Sequence, residues 1–238
     1  MKILKQTISD LAKKSKAADQ ILRKIEEQDF EYVFVSLLDE KLLSFEEYQR
    51  LKREYDERNK YLPFIKITSP RSFGETWAEK YILEVVPQLE TTKSIRGLNS
   101  QGMYDVVYRE DRNSLENIIK IEVKAGRAID RTMHNTPYDR RALTSDEVDR
   151  KFDMNFQQMK PDCFDVAILL GVWADKIRYW ILSSNEMRNH KHFSAGQHRG
   201  NKGYEGQIHI KTENLADFSQ FEANQLDILD TVLRKTGR

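Results

Sequence analysis

Three residues of this chain combine types and spacing that could do chemistry: Asp105, Glu122 and Lys124. Met103–Arg109 alternates, with Tyr104, Val106 and Tyr108 on one predicted strand face and Asp105, Val107 and Arg109 on the other. Ile118–Lys124 alternates again, placing Ile119, Ile121 and Val123 opposite Lys120, Glu122 and Lys124. The turn-like stretch Glu110–Asn117 between them makes the pair a predicted hairpin, which brings Asp105 near Glu122. Two carboxylates on one sheet face repel, and a divalent cation between them relieves the repulsion. Mg²⁺ takes hard oxygen ligands and keeps waters, so Asp105, Glu122 and the backbone carbonyl of Val123 form a candidate metal set, with Mn²⁺ as a substitute. Such a site binds a phosphodiester oxygen and acidifies a bound water. Lys124 would orient that water or stabilise charge developing on phosphorus. The bland alternative is a solvated hairpin face with alternating charge.

These strands need elements to position them. Ser72–Val86 is a predicted helix with Phe73, Trp77, Tyr81 and Val85 as its buried stripe, ended by Pro87. Thr144-Ser-Asp-Glu147 resembles a capping box and predicts a helix to Met159, with Val148, Phe152, Asn155/Phe156 and Met159 inward. That helix would cross over to Phe164–Trp173, whose continuous apolar run predicts a strand buried on both faces. Ile177–Ser184 and Gln207–Lys211 are further predicted strands, and Leu215–Leu233 contains a final amphipathic helix. The expected fold is α/β, a mixed central β-sheet flanked by helices. Residues 1–62 read as an α-helical arm. It has candidate N-caps at Thr7 and Ser9, a helix or short strand at Phe30–Leu38, and a capping box at Ser44-Phe-Glu-Glu47 opening a helix to Asn59. A loop bracketed by Pro63 and Pro70 follows, and residues 63–238 read as the core domain. The arm would dimerise the chain, clamp a ligand or simply cap the core.

The pattern Gly102-Met-Tyr-Asp105 followed by Ile121-Glu-Val-Lys124 resembles the PD-(D/E)xK nuclease superfamily. The superfamily's first-strand acid falls on Asp105 and its Glu-x-Lys on Glu122 and Lys124, while Tyr104 stands where the name-giving Pro often is. The resemblance spans Ser72 to Ser184, and Asn155–Trp173 looks like the unit that follows Glu-x-Lys in many bacterial type II restriction endonucleases. It implies a restriction endonuclease-like core. It also implies hydrolysis of double-stranded DNA to 5′-phosphate and 3′-hydroxyl ends, and a homodimer reading both strands. It further suggests a carboxylate from the preceding helix, Glu75, which the residues alone read equally well as a helix cap of Ser72. A structure- or repair-directed nuclease of the same superfamily, and an inert DNA-binding subunit, are the rival readings.

Expected DNA contacts fall in two polar stretches. The first is the Gly- and His-rich loop His190–Gly206, where Gln197, His198, Arg199, Asn201 and Lys202 combine amides, cations and flexible backbone. Its histidines lack the spacing of a His-Asn-His nuclease finger or of a zinc site. The second is the arginine-rich run holding Arg127, Arg131, Arg140 and Arg141. Gln157 and Gln158, on the predicted crossover helix, read first as surface or helix-packing residues, with a side-chain amide near a scissile phosphate as the alternative.

Composition narrows the classes. With 39 Lys+Arg against 38 Asp+Glu, a uniformly basic coat is excluded and any nucleic-acid contact must come from local clustering. A single cysteine, Cys163, excludes a disulfide framework. The charged opening Met1-Lys-Ile-Leu-Lys gives no secretory signal, and no apolar run approaches membrane-span length. The chain is expected to be cytoplasmic, and bacterial or phage-encoded.

Overall fold

The structure, a computed structural model, describes residues 2–27, 29–100, 102–147, 149–196 and 205–238. The fold is mixed α/β with a mixed central sheet flanked by helices. Four helices come first: α1 (Lys2–Ala12), α2 (Ala18–Glu26), α3 (Phe30–Asp39) and α4 (Phe45–Arg58). Thr7 and Ser9 therefore lie inside α1 rather than capping it, and Phe30–Leu38 is helical. Ser44 caps α4 as its sequence predicts, accepting from the Glu47 N–H while Glu47 returns to the Ser44 N–H. The apolar stripes of α1–α4 form their own cluster around Phe34, Leu37 and Ile21. The next helix, α5 (Leu62–Ile65), occupies the expected proline-bracketed loop and already packs into the main core.

Six strands build the central sheet: β1 (Leu89–Thr91), β2 (Val106–Tyr108), β3 (Ile119–Arg127), β5 (Val166–Val172), β6 (Ile177–Ser183) and β9 (Glu222–Ala223), adjacent in that order. The β2–β3 hairpin is antiparallel, and β3 pairs β5 in parallel. One face carries Ile119, Ile121, Val123, Ile168 and Leu170. It packs on Phe73, on Ile82 of α6 (Ala78–Val85) and on Val232 of α9 (Ile228–Lys235). The β5 strand is buried at every position, as its apolar run requires.

The other face is covered differently from the expectation. No crossover helix spans 144–159 among the described residues. Only half of the expected capping box forms: the Glu147 carboxylate accepts from the Thr144 N–H and hydroxyl, while the Glu147 N–H donates to the Thr144 backbone carbonyl, and the chain then turns. It forms a short helix earlier, α7 (Tyr138–Arg141), and a strand here, β4 (Asp153–Met159). The sequence supports both periods. Phe152, Asn155/Phe156 and Met159 fit a helix, yet Met154 and Phe156 alternating with Asp153, Asn155 and Gln157 fit a strand. Pairing decides it. β4 joins β8 (Gly206–Lys211), which pairs β7 (Phe193–Ala195), giving a three-stranded second sheet. The apolar side of this sheet, Met154, Phe156, Ile208 and Ile210, packs on Trp180 and Leu169 of the central sheet. A short helix, α8 (Ser184–Arg188), follows β6, and the final segment is likewise divided: a 3-10 turn Leu215–Phe221, the short β9, then α9.

Two glycines set how closely the sheets meet. Gly126 of β3 and Gly171 of β5 are register partners. A Cβ on Gly126 would stand 2.9 Å from Met154 and Phe156, and one on Gly171 would stand 2.4 Å from the Trp180 ring. These strand glycines mark a close approach rather than a turn. Gly171→Ala is expected to lower stability by about 1–3 kcal/mol through overpacking, measured by urea unfolding. An unchanged midpoint would show that the indole has room to move.

Candidate functional site

The segment before α6 is the first surprise of the site. Ser72–Trp77 is a π-helical turn that runs into α6 without a side-chain cap. Phe73, Trp77 and Tyr81 stack at 5.2 and 5.3 Å between centroids, so the expected aromatic stripe forms, with Ala78 and Ile82 innermost. Glu75 does not cap Ser72. Its carboxylate meets the Lys124 ammonium at 3.3 Å and the Arg71 guanidinium at 3.2 Å. Wide π turns recur at functional sites because they re-aim a side chain.

Asp105 sits where the β2 ladder begins. Val106 pairs with Ile121, and the Asp105 N–H also donates to the Ile121 carbonyl at 3.0 Å. Two residues facing one break the alternation here. Tyr104 consequently packs with Val107 on the second-sheet side rather than with Val106 as its spacing predicts. The next inward donor, the Val123 N–H, has no β2 residue to pair with and is taken at 2.9 Å by the Asp105 carboxylate. The Val123 carbonyl lies on the same strand edge.

Glu122 and Lys124 follow on β3. The Lys124 ammonium lies 2.9 Å from Glu122, and both residues are buried, at 7% and 5% exposure. Burial pushes the Glu122 carboxyl up to about 7, helped by the charges of Asp105 and Glu75 and opposed by Lys124. Burial raises Asp105 too, against the pull of Lys124 and the Val123 N–H. Burial alone would lower Lys124, but the surrounding carboxylates outweigh it and raise its pKa. The neighbouring Glu79 is occupied by Lys93 at 3.0 Å and by Thr91.

Glu75, Asp105, Glu122 and Lys124 all line one cleft of about 320 Å³. It opens into a second of about 750 Å³, and Arg71, Glu75, Gly102, Lys124, Gln158 and Lys160 border both. Glu75, Asp105 and Glu122 thus gather around Lys124, with Arg71 on Glu75, while Glu79, Lys93 and Lys160 also line the cleft. The Asp105 and Glu122 oxygens, with the Val123 carbonyl, are hard donors of the kind Mg²⁺ prefers. Among the described residues no group of three or more His, Cys, Asp or Glu side chains is placed to hold a metal ion, so a cation here would rest on two carboxylates, the Val123 carbonyl and its own waters. The donor set fits a cation that keeps its own waters.

The expected DNA contacts fare unevenly. Gln197, His198, Arg199, Asn201 and Lys202 lie outside the described residues. Arg127 borders the larger cleft but is also built into the fold. Its guanidinium is sandwiched 3.8 Å from the Phe73 ring centroid and 4.2 Å from that of Tyr138. It donates to the Ile65 and Ile67 carbonyls, and burial lowers its pKa to about 10. Arg131 pairs with Glu213 at 2.6 Å, Arg140 is exposed on α7, and Arg141 reaches the larger cleft. His190 and His192 belong to the fold, stacking on Phe218, with His192 also 2.8 Å from Asp217. Sequence reasoning overlooked Arg71 and Lys160. It also placed Gln157 and Gln158 on a helix, whereas the period-two alternation through Phe152, Met154 and Phe156 was the available signal. The chain matches no family model, no curated protein and no solved structure.

The Arg127 sandwich has a measurable consequence. Arg127→Ala should cost about 2–4 kcal/mol of unfolding free energy, from lost hydrogen bonds by a charged donor and lost stacking. Arg140→Ala should stay within about 0.5 kcal/mol. Equal, small losses in urea titrations of both variants would return Arg127 to the surface contacts.

Proposed function

We propose that this chain is a Mg²⁺-dependent endonuclease of double-stranded DNA, cutting at specific sites in the manner of a type II restriction enzyme. One observation carries the reading: a hairpin and a π-helical turn, far apart in sequence, deliver Glu75, Asp105, Glu122 and Lys124 to one open cleft around a buried ammonium. The bland alternative of a solvated charged hairpin is disfavoured, because solvated faces do not bury a lysine and a glutamate together.

The residues have separable tasks. Asp105 and Glu122, with the Val123 carbonyl, would hold the metal. The Val123 N–H fixes the Asp105 carboxylate, and Lys124 and the β3 backbone fix Glu122. The bound ion would polarise a phosphodiester oxygen and lower the pKa of an attacking water. Lys124 would orient that water and stabilise the charge that grows on the phosphoryl oxygens, in a site where burial strengthens its field. Glu75 would tether Lys124 and so aim it. Hydrolysis in this way leaves a 5′-phosphate and a 3′-hydroxyl. A twofold dimer would present one such cleft to each strand.

Metal binding is testable without turnover. At a hundredfold excess over Kd, Mg²⁺, Mn²⁺ or Ca²⁺ should raise Tm by about 5–10 °C, and Asp105→Asn or Glu122→Gln should abolish the rise. A wild-type Tm indifferent to all three ions would remove the metal assignment.

Cleavage is tested on a long DNA of known sequence. Mg²⁺ should give discrete fragments and excess EDTA none. Asp105→Asn, Glu122→Gln and Lys124→Ala should each slow single-turnover cutting by at least about 10²-fold. Lys124→Ala should still bind DNA in Ca²⁺. A smear or a preference for junctions would favour the structure- or repair-directed reading, and wild-type rates from Glu122→Gln would show the site to be misassigned.

A further inference from the structure

The second sheet has two unlike faces. Met154, Phe156, Ile208 and Ile210 point into the core, so the alternate positions point away from it. Those positions are Asp153, Asn155 and Gln157 on β4, opposite Lys211, His209 and Gln207 on β8. All six are polar. Asp153 is engaged from both sides, by the His209 ring at 2.7 Å and the Lys211 ammonium at 3.5 Å, which leaves amides as the unengaged groups characteristic of this face. Asp153, Asn155 and Gln157 line the larger cleft, the one continuous with Glu75 and Lys124.

Three details point to a ligand here. The Asn155 Oδ1 is buried and lacks a hydrogen-bond partner, although its Nδ2 donates to Gln207 at 3.4 Å. The Nε of Arg141, which borders the same cleft, is also buried and unpartnered. An orphaned acceptor and an orphaned donor in one cleft are costly unless something occupies it. Gln158 adds the third detail. The register slips between Gln157 and Met159, and Gln158 takes a φ of +59°. A bulge in the left-handed region is strained for glutamine, and bulges of this kind re-aim side chains beside functional sites. Here it turns Gln158 to the wall shared by both clefts.

We infer that the polar face of the β4–β8 ribbon is the base-reading surface, with Asn155 and Gln157 contacting adenine edges in the major groove of duplex DNA. The inference rests on the nuclease reading of the adjoining cleft. The major groove admits a two-stranded β-ribbon, and an amide matches the adenine N6 donor and N7 acceptor in a bidentate pair. Arg71 and Lys160, at the junction of the two clefts, are placed to meet the phosphates that connect the read bases to the scissile bond. Lys160 is held there by Glu205 at 3.4 Å.

The test is selection from a 20-base-pair randomised duplex library in Ca²⁺, followed by sequencing of the bound pool and by affinity measurements on the best and on scrambled duplexes. The wild type should enrich a motif containing adenine. Asn155→Ala and Gln157→Ala should each relax one motif position and reduce the preference for the enriched duplex about tenfold to a hundredfold. Lys160→Ala should weaken all duplexes alike and keep the motif. Gln157 is exposed, so its variant remains informative if Asn155→Ala fails to fold. A wild type that enriches no motif, or a motif unchanged in the foldable variants, would overturn the inference. Enrichment without any Mg²⁺-dependent cutting would instead strike the nuclease reading and leave base reading standing.

Discussion

The ammonium of Lys124 is the constraint around which the rest is arranged. A buried cation is tolerable only when opposite charge and hydrogen bonds replace its lost water. Lys124 obtains them from Glu122 on its own strand, from Glu75 on the π-helical turn and from the field of Asp105 at the hairpin. Each partner comes from a different element, so the charge requirement fixes where the turn and the hairpin sit against β3. Helical packing supports the same geometry, with Phe73 and Ile82 seated on the aliphatic side of that strand. The polar site and the apolar core are thus two sides of β3, set by strand alternation.

Two residues further along β3, the demand reverses from charge to space. Gly126 removes the side chain so that Met154 and Phe156 can settle, and Gly171 does the same next to Trp180. The second sheet approaches closely enough to wall the cleft beside Lys124. A single strand therefore supplies a buried carboxylate, a buried cation and an empty step for a neighbouring layer, at residues 122, 124 and 126.

Much of this was legible from residue order. The hairpin, the Glu122–Lys124 pair and the doubly buried β5 follow from alternation and apolar runs, which depend on local periodicity alone, whereas Asp105 reaches them through a break in alternation that periodicity does not show. Glu75 was ambiguous because a Ser-x-x-Glu string satisfies a cap as readily as a site. Only the approach of Lys124, 49 residues away, separates the two. The strand β4 is masked in the sequence because the Thr144-Ser-Asp-Glu147 string has the form of a helix start and the following apolar residues also fit a helical period. What overrides that preference is pairing with β8, and Phe152 and Thr212 meet across 60 residues. Arg127 reads only as a candidate DNA contact because stacking between two distant aromatic rings leaves no trace in spacing.

The parallel pairing of β3 with β5 also governs how the molecule can assemble. Its first ladder contacts join Lys120 to Asp165, 45 residues apart, and the connecting chain includes β4, which cannot pair until β8 exists. Loop closure must therefore be paid twice before both faces of the central sheet are covered, a topology associated with slow folding. On a ribosome, β3, β5 and β6 can align once residue 183 has emerged. The apolar surface around Gly126, Gly171 and Trp180 then waits for residues 206–211 before the second sheet closes over it. During that interval the nascent chain carries an exposed sheet face, the period in which a chaperone would have most to bind.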